Sequence, residues 1–475
     1  MASLSAQGFF KASRAAVADV ELRRKLDNAN TRQREHAARA IAEFPSYQQE
    51  RDAARAVKEE AIGRLDQLLL ELRRKLQARG AKVFFAADAA EARDYIVKLA
   101  RQAGAKLVVK GKSMATEEIE LNAALEHAGM EVLETDLGEY IVQLRGEKPS
   151  HIITPAIHLS KEDIGELFQN KLQVPYTSEP AALTAVARER LRESFLRAEL
   201  GVTGVNFAIA ETGSLVLVEN EGNGRMTATM PETFVAVMGL EKVIPRLDDL
   251  SHFLEILART ATGQKLTTYT SFINGPRRPG ELDGPREMHV VILDNGRSRM
   301  LADPVLREAL YCLRCGACLN VCPVYDRIGG HAYGSTYPGP IGSILSPELF
   351  GKSAGHLPFA STLCGACKDV CPVKIDIPRI LLHLRAKASA DSEGIRWPWA
   401  AERARRGARR FARLARHPWA ARTLGRMAGL LLRPFARNGY LNRMPPPFNA
   451  WTKGRDFPLP HSKPKTTSAD RTSRT

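Results

Sequence analysis

Residues 312–323 read CLRCGACLNVCP, a Cys-x2-Cys-x2-Cys-x3-Cys-Pro run. Bacterial ferredoxins hold iron-sulfur clusters with this spacing. Three thiolates spaced three residues apart on a tight loop can each reach a different iron of one cluster. The fourth cysteine, displaced by one residue and followed by proline, points to a neighbouring cluster. The run therefore predicts an α-helical, ferredoxin-like domain that binds two clusters, with 4Fe-4S as the favoured type.

A second run, STLCGACKDVCP at residues 361–372, repeats the first with Ser361 in place of the leading cysteine. In two-cluster ferredoxins the fourth cysteine of each run binds the cluster held by the other run. This pattern predicts Cys312, Cys315, Cys318 and Cys371 as ligands of the first cluster and Cys322, Cys364 and Cys367 as ligands of the second. The second cluster then lacks a cysteine at one iron. Ser361 could supply an alkoxide there, another residue or an exogenous ligand could bind instead, or the cluster could contain three irons.

Zinc is the alternative metal, since Cys-x2-Cys pairs also suit it. Structural zinc sites require neither the triple spacing nor the two Cys-Pro endings, so iron-sulfur clusters are the favoured interpretation. Helix starts are predicted beside both runs, at Asp303-Pro304 and at Asp376 to Pro378. The turn-rich segment Gly329 to Gly342 is expected to wrap the clusters.

The sequence before the cysteines divides into two parts that differ in their predicted secondary structure. Residues 1–80 are predicted to be helical, and apolar residues at spacings of three and four form a face that should pack on the next domain. These residues are Ile62, Leu65, Leu69, Leu72 and Leu76. Residues 81–295 alternate strands and helices, which favours a parallel sheet covered by helices.

The segments of this α/β domain can be placed individually. Strands are predicted at residues 82–86, 106–110, 131–133, 234–238 and 289–293, helices at 88–102 and 115–128, and a hairpin with strands 205–210 and 214–219. Gly111-Lys112-Ser113 lacks the first glycine of a P-loop, and the glycines near residue 224 do not complete a dinucleotide fingerprint. Scattered histidines are interpreted as structural.

Three polar residues of the α/β domain are candidate site residues. Glu211 precedes a tight Thr-Gly turn at a strand end, although a turn-stabilising or surface carboxylate is the favoured interpretation. Lys110 and Lys112 could bind a carboxylate substrate, and a structural role is again favoured for both.

Charge is concentrated at one end of the chain. The 475 residues carry a formal charge of +16, and residues 401–475 contain 18 Lys and Arg against three acids. The alternation of Arg and Ala in residues 402–416 favours a helix on a protein or anionic membrane surface over a nucleic-acid module. Clustered cysteines, no signal-peptide pattern and no long apolar run predict a cytoplasmic protein.

The chain resembles the lactate-utilisation iron-sulfur protein family (LutB-like). The resemblance is carried by the two cysteine runs, by GVTGVNFAIAETGSLVLVENEGNGR (201–225), by MPETFVAVMGLEKVIPRL (230–247) and by YGSTYPGPIG (333–342). It implies a LUD domain similar to sugar-phosphate isomerases and CoA-transferases, and it makes Ser361 a family feature. Phe234, at a position where relatives often have histidine, departs from the family pattern and weakens any role for that site.

The resemblance also implies a domain order and a function. The order is an N-terminal helical region (1–80), a LUD domain (81–295), a two-cluster domain (300–385) and a basic C-terminal extension (386–475) with a disordered end. The implied function is that of a non-flavin iron-sulfur subunit in a cytoplasmic complex that oxidises L-lactate to pyruvate. Its expected partners are a cysteine-rich sister subunit and a smaller LUD-domain subunit.

Cleaving the carbon-hydrogen bond of lactate normally needs a hydride acceptor such as flavin or nicotinamide, and this sequence has no fingerprint for either. The hypothesis is therefore an electron relay, with the chemistry in a partner or at a shared interface. One alternative is an electron-transfer subunit of another oxidoreductase, of glycolate or disulfide type. A less favoured one is a redox-sensing binding protein that uses its basic tail.

Overall fold

The computed structural model describes residues 4–390 and, further on, residues 406–407, 409–413, 416–437, 439–441 and 457–459. The chain forms two compact units, Met1–Ile395 and Arg396–Thr475. The first unit contains the N-terminal helices, the parallel sheet and both cysteine runs.

Four helices precede the sheet, as predicted for residues 1–80. They are α1 (Ala6–Ala18), α2 (Val20–Ala42), α3 (Tyr47–Gly63) and α4 (Leu65–Ala78). Ser5 and Asp19 cap the first two, because each side chain accepts a hydrogen bond from a backbone N–H in the first turn. The predicted apolar face from Ile62 to Leu76 is buried in the largest hydrophobic core, so its packing role is confirmed.

Six parallel strands form the main sheet. In chain order the elements are β1 (Lys82–Ala86), α5 (Ala89–Gln102), β2 (Leu107–Lys110), α6 (Met114–Glu118), α7 (Leu121–His127), β3 (Glu131–Glu134), α8 (Leu137–Arg145), α9 (Lys161–Leu172), α10 (Pro180–Arg197) and β4 (Leu200–Gly204). Later segments add β7 (Thr233–Gly239) and β10 (Glu287–Leu293), and the strand order is β1-β10-β7-β4-β2-β3. The predicted α/β class with a parallel sheet is confirmed.

Strand β7 shows why these segments are continuously apolar. Phe234, Ala236 and Met238 belong to the core shared with the N-terminal helices, whereas Val235 and Val237 belong to the core on the opposite face. Both faces of a parallel sheet are buried, so alternation with polar residues is absent.

The predicted helix 115–128 is wrong in one respect, because two helices occupy it. Glu120 adopts a left-handed conformation, with φ of 52°, and this residue separates α6 from α7. A non-glycine residue at positive φ cannot continue a right-handed helix. The segment therefore turns between two short helices.

A smaller sheet packs beside the first. It contains β5 (Phe207–Ile209), β6 (Ser214–Glu219), β8 (Val243–Ile244) and β9 (Tyr269–Ile273), in the order β8-β5-β6-β9. Strands β5 and β6 are antiparallel, so the predicted hairpin is confirmed with a shorter first strand. Helices α11 (Asn223–Thr229), α12 (Leu250–Thr262) and α13 (Arg297–Ala302) complete this region.

The cysteine-rich region is built from short helices. They are a 3-10 helix (Leu306–Tyr311), α14 (Ala317–Asn320), α15 (Tyr325–Ile328), α16 (Gly339–Phe350), α17 (Ala366–Asp369) and α18 (Ile377–Ala390). Helix α18 begins directly after Asp376, which accepts from the N–H of Arg379, as predicted. The helix expected at Asp303-Pro304 instead begins at Leu306, and Asp303 accepts from the N–H of Val305. The α-helical class predicted for this region is confirmed.

The C-terminal unit has α19 (Pro418–Leu432) and the paired strands β11 (Ala436–Arg437), β12 (Tyr440–Leu441) and β13 (Phe457–Pro458). Apart from Leu459, the stretch after Pro458 that was predicted to be disordered lies outside the described residues. Among the helices that the structure describes, none has the length and apolar character needed to cross a bilayer.

Candidate functional site

The two cysteine runs have the same backbone conformation. The N–H of Arg314 donates to Sγ of Cys312 at 3.4 Å, and the N–H of Leu363 donates to Oγ of Ser361 at 3.1 Å. Arg314 and Leu363 both have positive φ, at 65° and 57°. Ser361 therefore occupies in its loop the position that Cys312 occupies in the first.

Glycine is required at the next turn of both loops. Gly316 and Gly365 have φ of 74° and 90° and directly precede α14 and α17. A Cβ at Gly316 would also come within 2.7 Å of the side chain of Ile153. Both turns thus need the conformational freedom of glycine, and the first also needs its small size.

The first predicted ligand set lies together in space. Burial raises the pKa of Cys315 and Cys318, and the nearby Cys312 and Cys371 raise it further. Burial likewise raises the pKa of Cys371 to about 11, with a contribution from Cys312. Cys371 is thus electrostatically coupled to the first run, although it belongs to the second.

The second set also lies together. Burial raises the pKa of Cys367 to about 12, and Cys322 and Cys364 contribute to this shift. All seven cysteines are free thiols. Buried thiolates that repel one another are stabilised by a bound cation, so these donors fit iron-sulfur clusters.

Backbone N–H groups surround the thiols. Those of Ala317 and Ile341 donate to Cys315 and Cys318 and oppose the rise in their pKa. Ile341 lies in the Gly329 to Gly342 segment, so this segment does approach the first set, as predicted. Hydrogen bonds to cluster sulfurs are one means by which a protein adjusts the reduction potential.

Helix α3 holds the second run in place, a role that the sequence analysis missed. Arg51 donates to the carbonyls of Asp369, at 2.8 Å, and Cys371, at 2.6 Å. Arg55 donates to Glu308 at 3.0 Å and to the carbonyl of Lys374 at 2.7 Å. These cations share one face of α3 with the buried Ala54, but the backbone carbonyls that they bind give no signal in the sequence.

A buried ionic network, called here the Glu241 network, links the LUD domain to the first cysteine loop. It consists of Lys58, Glu118, Glu241, Arg297, Arg314 and Tyr337. Glu241 accepts hydrogen bonds from Nε of Arg297 at 2.6 Å and from Arg314 at 3.1 Å. Although burial opposes ionisation, Arg297 and Arg314 lower the pKa of Glu241 to about 2. The carboxylate therefore stays ionised between the two guanidinium groups.

The remaining contacts complete this network. Arg297 binds both oxygens of Glu118 at 2.8 Å, and Tyr337 donates to Glu118 at 2.8 Å. Lys58 donates to the backbone carbonyl of Glu241 at 2.5 Å. The guanidinium of Arg314 also lies over the ring of Tyr337, 5.2 Å from its centre. Arg314, in the loop between Cys312 and Cys315, is thus held by Glu241 and by Tyr337, which come from two separate parts of the chain.

A cavity of about 720 Å³ adjoins this network. Cys315 and Arg314 line it from the first cysteine loop, and Lys242 lines it from the segment after β7. Lys112, Asp136 and Glu219 line it elsewhere. The first predicted ligand set therefore borders a space large enough for a small molecule.

The structure separates the three polar candidates. Lys110 is fully buried, and its ammonium contacts Glu134 at 2.8 Å and Glu117 at 3.0 Å. These carboxylates already neutralise the ammonium, which supports the structural role favoured for Lys110 over the binding of a substrate carboxylate. Lys112 lines the cavity but is held by the carbonyl of Ile153 and by Asp136, 3.7 Å away. Glu211 is an exposed carboxylate that accepts from the N–H of Leu247 at 2.9 Å, which supports a structural role at the surface.

Two further residues have structural positions. His151 is fully buried and donates through Nε2 to Asn320, while its Nδ1 accepts from the N–H of Ile153. Burial lowers the pKa of His151 to about 3, so the ring is neutral. Phe234 is fully buried in the core against the N-terminal helices and contributes packing.

The two domain families match different parts of the chain. The LUD domain family matches residues 69–293, and the 4Fe-4S dicluster domain family matches residues 308–375. A protein of the DUF162 family from Deinococcus radiodurans, with a solved structure, is 17% identical. That match covers 48% of this chain and 98% of the other, with a TM-score of 0.28.

Curated relatives match nearly the whole chain. Lactate utilization protein B of Macrococcus caseolyticus is 44% identical over 456 residues, which is 95% of this chain and 94% of the relative. The protein of the same name from Anoxybacillus flavithermus is 42% identical and covers 93% of both chains. Since this similarity spans the helices, the LUD domain and the dicluster region together, the chain belongs to the lactate utilization protein B family.

Proposed function

We propose that the chain is the iron-sulfur electron-transfer subunit of a cytoplasmic complex that oxidises L-lactate to pyruvate. The observation that carries this proposal is the pair of coupled thiol sets within a dicluster domain, in a chain whose relatives are named for lactate utilisation. The family resemblance supplies the expected partners, a cysteine-rich subunit and a smaller LUD-domain subunit.

In this proposal Cys312, Cys315, Cys318 and Cys371 bind the first cluster, and Cys322, Cys364 and Cys367 bind the second. The mutual effects of the thiols on their pKa values support both groupings. When bound, each cluster would accept and donate one electron at a time, so two clusters suit a two-electron oxidation.

The chain's own residues place these sets between a cavity and the surface. Cys315 lines the cavity, whereas Cys364 is exposed. Arg51 and Arg314 fix the two loops that carry the thiols, through the carbonyl of Cys371 and the carboxylate of Glu241. In this proposal the first set exchanges electrons beside the cavity, and the second is reached by a partner through the exposed Cys364.

Anaerobic reconstitution with iron counting and electron paramagnetic resonance tests this proposal. L-lactate is then added to the full chain, alone and with its two partner proteins. We expect cluster reduction only when the partners are present. Lactate oxidation by the chain alone with an artificial acceptor would contradict the relay role. Reduction by glycolate or a dithiol, but not by lactate in any combination, would favour the alternative oxidoreductase.

Substitution of Ser361 tests the coordination of the second cluster. Because Ser361 occupies the position of Cys312, we expect Ser361→Cys to supply a fourth thiolate. The resonance spectrum of the second cluster should change, and its reduction potential should fall because a thiolate adds negative charge. Thr362→Cys, at the adjacent exposed position, is the matched control. Identical spectra for both variants and the parent would place Ser361 outside the coordination sphere.

A further inference from the structure

The cavity lies where open α/β sheets bind ligands. Gly111 directly follows β2, and Gly204 and Gly239 are the last residues of β4 and β7. All three glycines line the cavity. Ligands of open parallel sheets bind at the carboxyl ends of the strands, and this cavity has that position as well as a border with the cysteine loop.

Lys242 is the cation that the surrounding protein leaves unpaired. Among the residues that the structure describes, its ammonium makes no hydrogen bond or ion pair, although it lines the cavity. Burial lowers its pKa to about 8, and the nearby Arg314 lowers it further, while Glu241 opposes this shift. The Lys242 side chain is partly exposed to the cavity, so an anion bound there would pair with an ammonium that has no ion pair within the described protein.

The charges around Lys242 favour an anion at this end of the cavity. Glu241 is shared by Arg297 and Arg314, and Arg297 also pairs with Glu118. Lys242 and these two arginines are therefore three cations beside two carboxylates, and Lys58, whose pKa burial lowers to about 7, adds a partial positive charge. The local excess of positive charge is not neutralised by the side chains of the network.

The other end of the cavity is unsuitable for an anion. Lys112 is occupied by Asp136 and by the carbonyl of Ile153. Glu219 accepts hydrogen bonds from two backbone N–H groups, those of Gly224 at 2.6 Å and Arg225 at 2.7 Å. A ligand with one carboxylate would accordingly bind with that group at Lys242 and its remainder within the cavity.

We propose that this cavity binds a small carboxylate of the 2-hydroxy or 2-oxo acid class, with Lys242 as the residue that binds the carboxylate group. The site places such an acid beside the loop of Cys315. This inference rests on the proposed function for the acid class, and it assigns to this chain a binding site that the relay role alone does not require.

Calorimetric titration of the reconstituted full chain with pyruvate tests the site. Pyruvate already carries the oxidised carbon, so its binding is measured apart from lactate oxidation. We expect Lys242→Gln to weaken pyruvate binding at least about tenfold, because an ion-paired hydrogen bond is lost. Lys242→Arg should retain most of the affinity. Lys82→Gln, an exposed lysine paired with Glu287, is the matched control and should bind as the parent does.

Cluster content and reduction potential are measured on the same samples. Equal iron in all variants with weaker binding only in Lys242→Gln supports the proposal. It is overturned if the parent does not bind pyruvate, or if Lys242→Gln shifts the reduction potential and leaves binding unchanged, since Lys242 would then only compensate cluster charge. Pyruvate binding that depends on Lys242, without lactate-driven reduction in any subunit combination, would refute the proposed function and leave the site intact.

Discussion

We expect Cys371→Ala to remove the first cluster, although Cys371 lies in the second cysteine run. Cys371 is coupled to Cys312 and contributes to the raised pKa of Cys315 and Cys318. Iron should fall from about eight atoms per chain to about four, the loss of one 4Fe-4S cluster. The resonance signal that survives should be the one that Cys364→Ala abolishes. Iron analysis and resonance spectroscopy of both variants measure this outcome.

Double variants separate crossed from uncrossed ligation. If Cys371 and Cys315 bind the same cluster, Cys315→Ala combined with Cys371→Ala should lose no more iron than either change alone. Cys364→Ala combined with Cys371→Ala should lose nearly all iron. Uncrossed ligation requires the reverse pattern, because Cys371 would then share a cluster with Cys364. The two double variants are therefore controls for each other.

The metal centre was largely predictable from local sequence. Thiolate spacing along a loop is set by which irons of one cluster the sulfurs can reach, so CLRCGACLNVCP specifies its chemistry within 12 residues. The strands of the LUD domain were also predictable from the sequence, because segments such as 234–238 are continuously apolar when both faces of a sheet are buried. These signals are short-range and need no knowledge of tertiary contacts.

The cavity and the Glu241 network were not predictable in the same way. Glu241 and Arg297 are far apart in sequence and meet because they follow β7 and β10, which are neighbours in the sheet, and Glu118 joins them from the end of α6. For Lys110 the sequence favoured a structural role without identifying its partner. Only the fold reveals that Glu134, on the adjacent β3, neutralises this lysine.

The role of helix α3 was only partly predictable from the sequence. Arg51, Arg55 and Lys58 are spaced by four and three residues, a pattern normally interpreted as a solvated helix face. Here each of them donates to a backbone carbonyl of another region. Every residue has a backbone carbonyl, so no residue type identifies the acceptors in the sequence. The pattern alone could therefore not show that α3 joins the cysteine region to the LUD domain.

Arg297→Met should cause a large loss of stability in the Met1–Ile395 unit. The Arg297 side chain is nearly fully buried, and its removal leaves Glu118 without its bidentate partner and Glu241 with Arg314 alone. Breaking a buried ion pair from one side costs about 3–5 kcal/mol, because an uncompensated charge stays buried. Urea unfolding followed by circular dichroism, on samples with equal iron content, measures the change in the free energy of unfolding.

Arg286→Met provides the comparison for this loss. Arg286 is exposed and lies 3.7 Å from the exposed Glu232, so its removal should change the free energy of unfolding by less than about 0.5 kcal/mol. Similar midpoints for the two variants would show that the network is not held as a buried unit. Because Arg314 shares Glu241 with Arg297, the loss in Arg297→Met should also disturb the loop between Cys312 and Cys315. In Arg297→Met the resonance signal of the first cluster should therefore broaden, with less effect on the signal of the second.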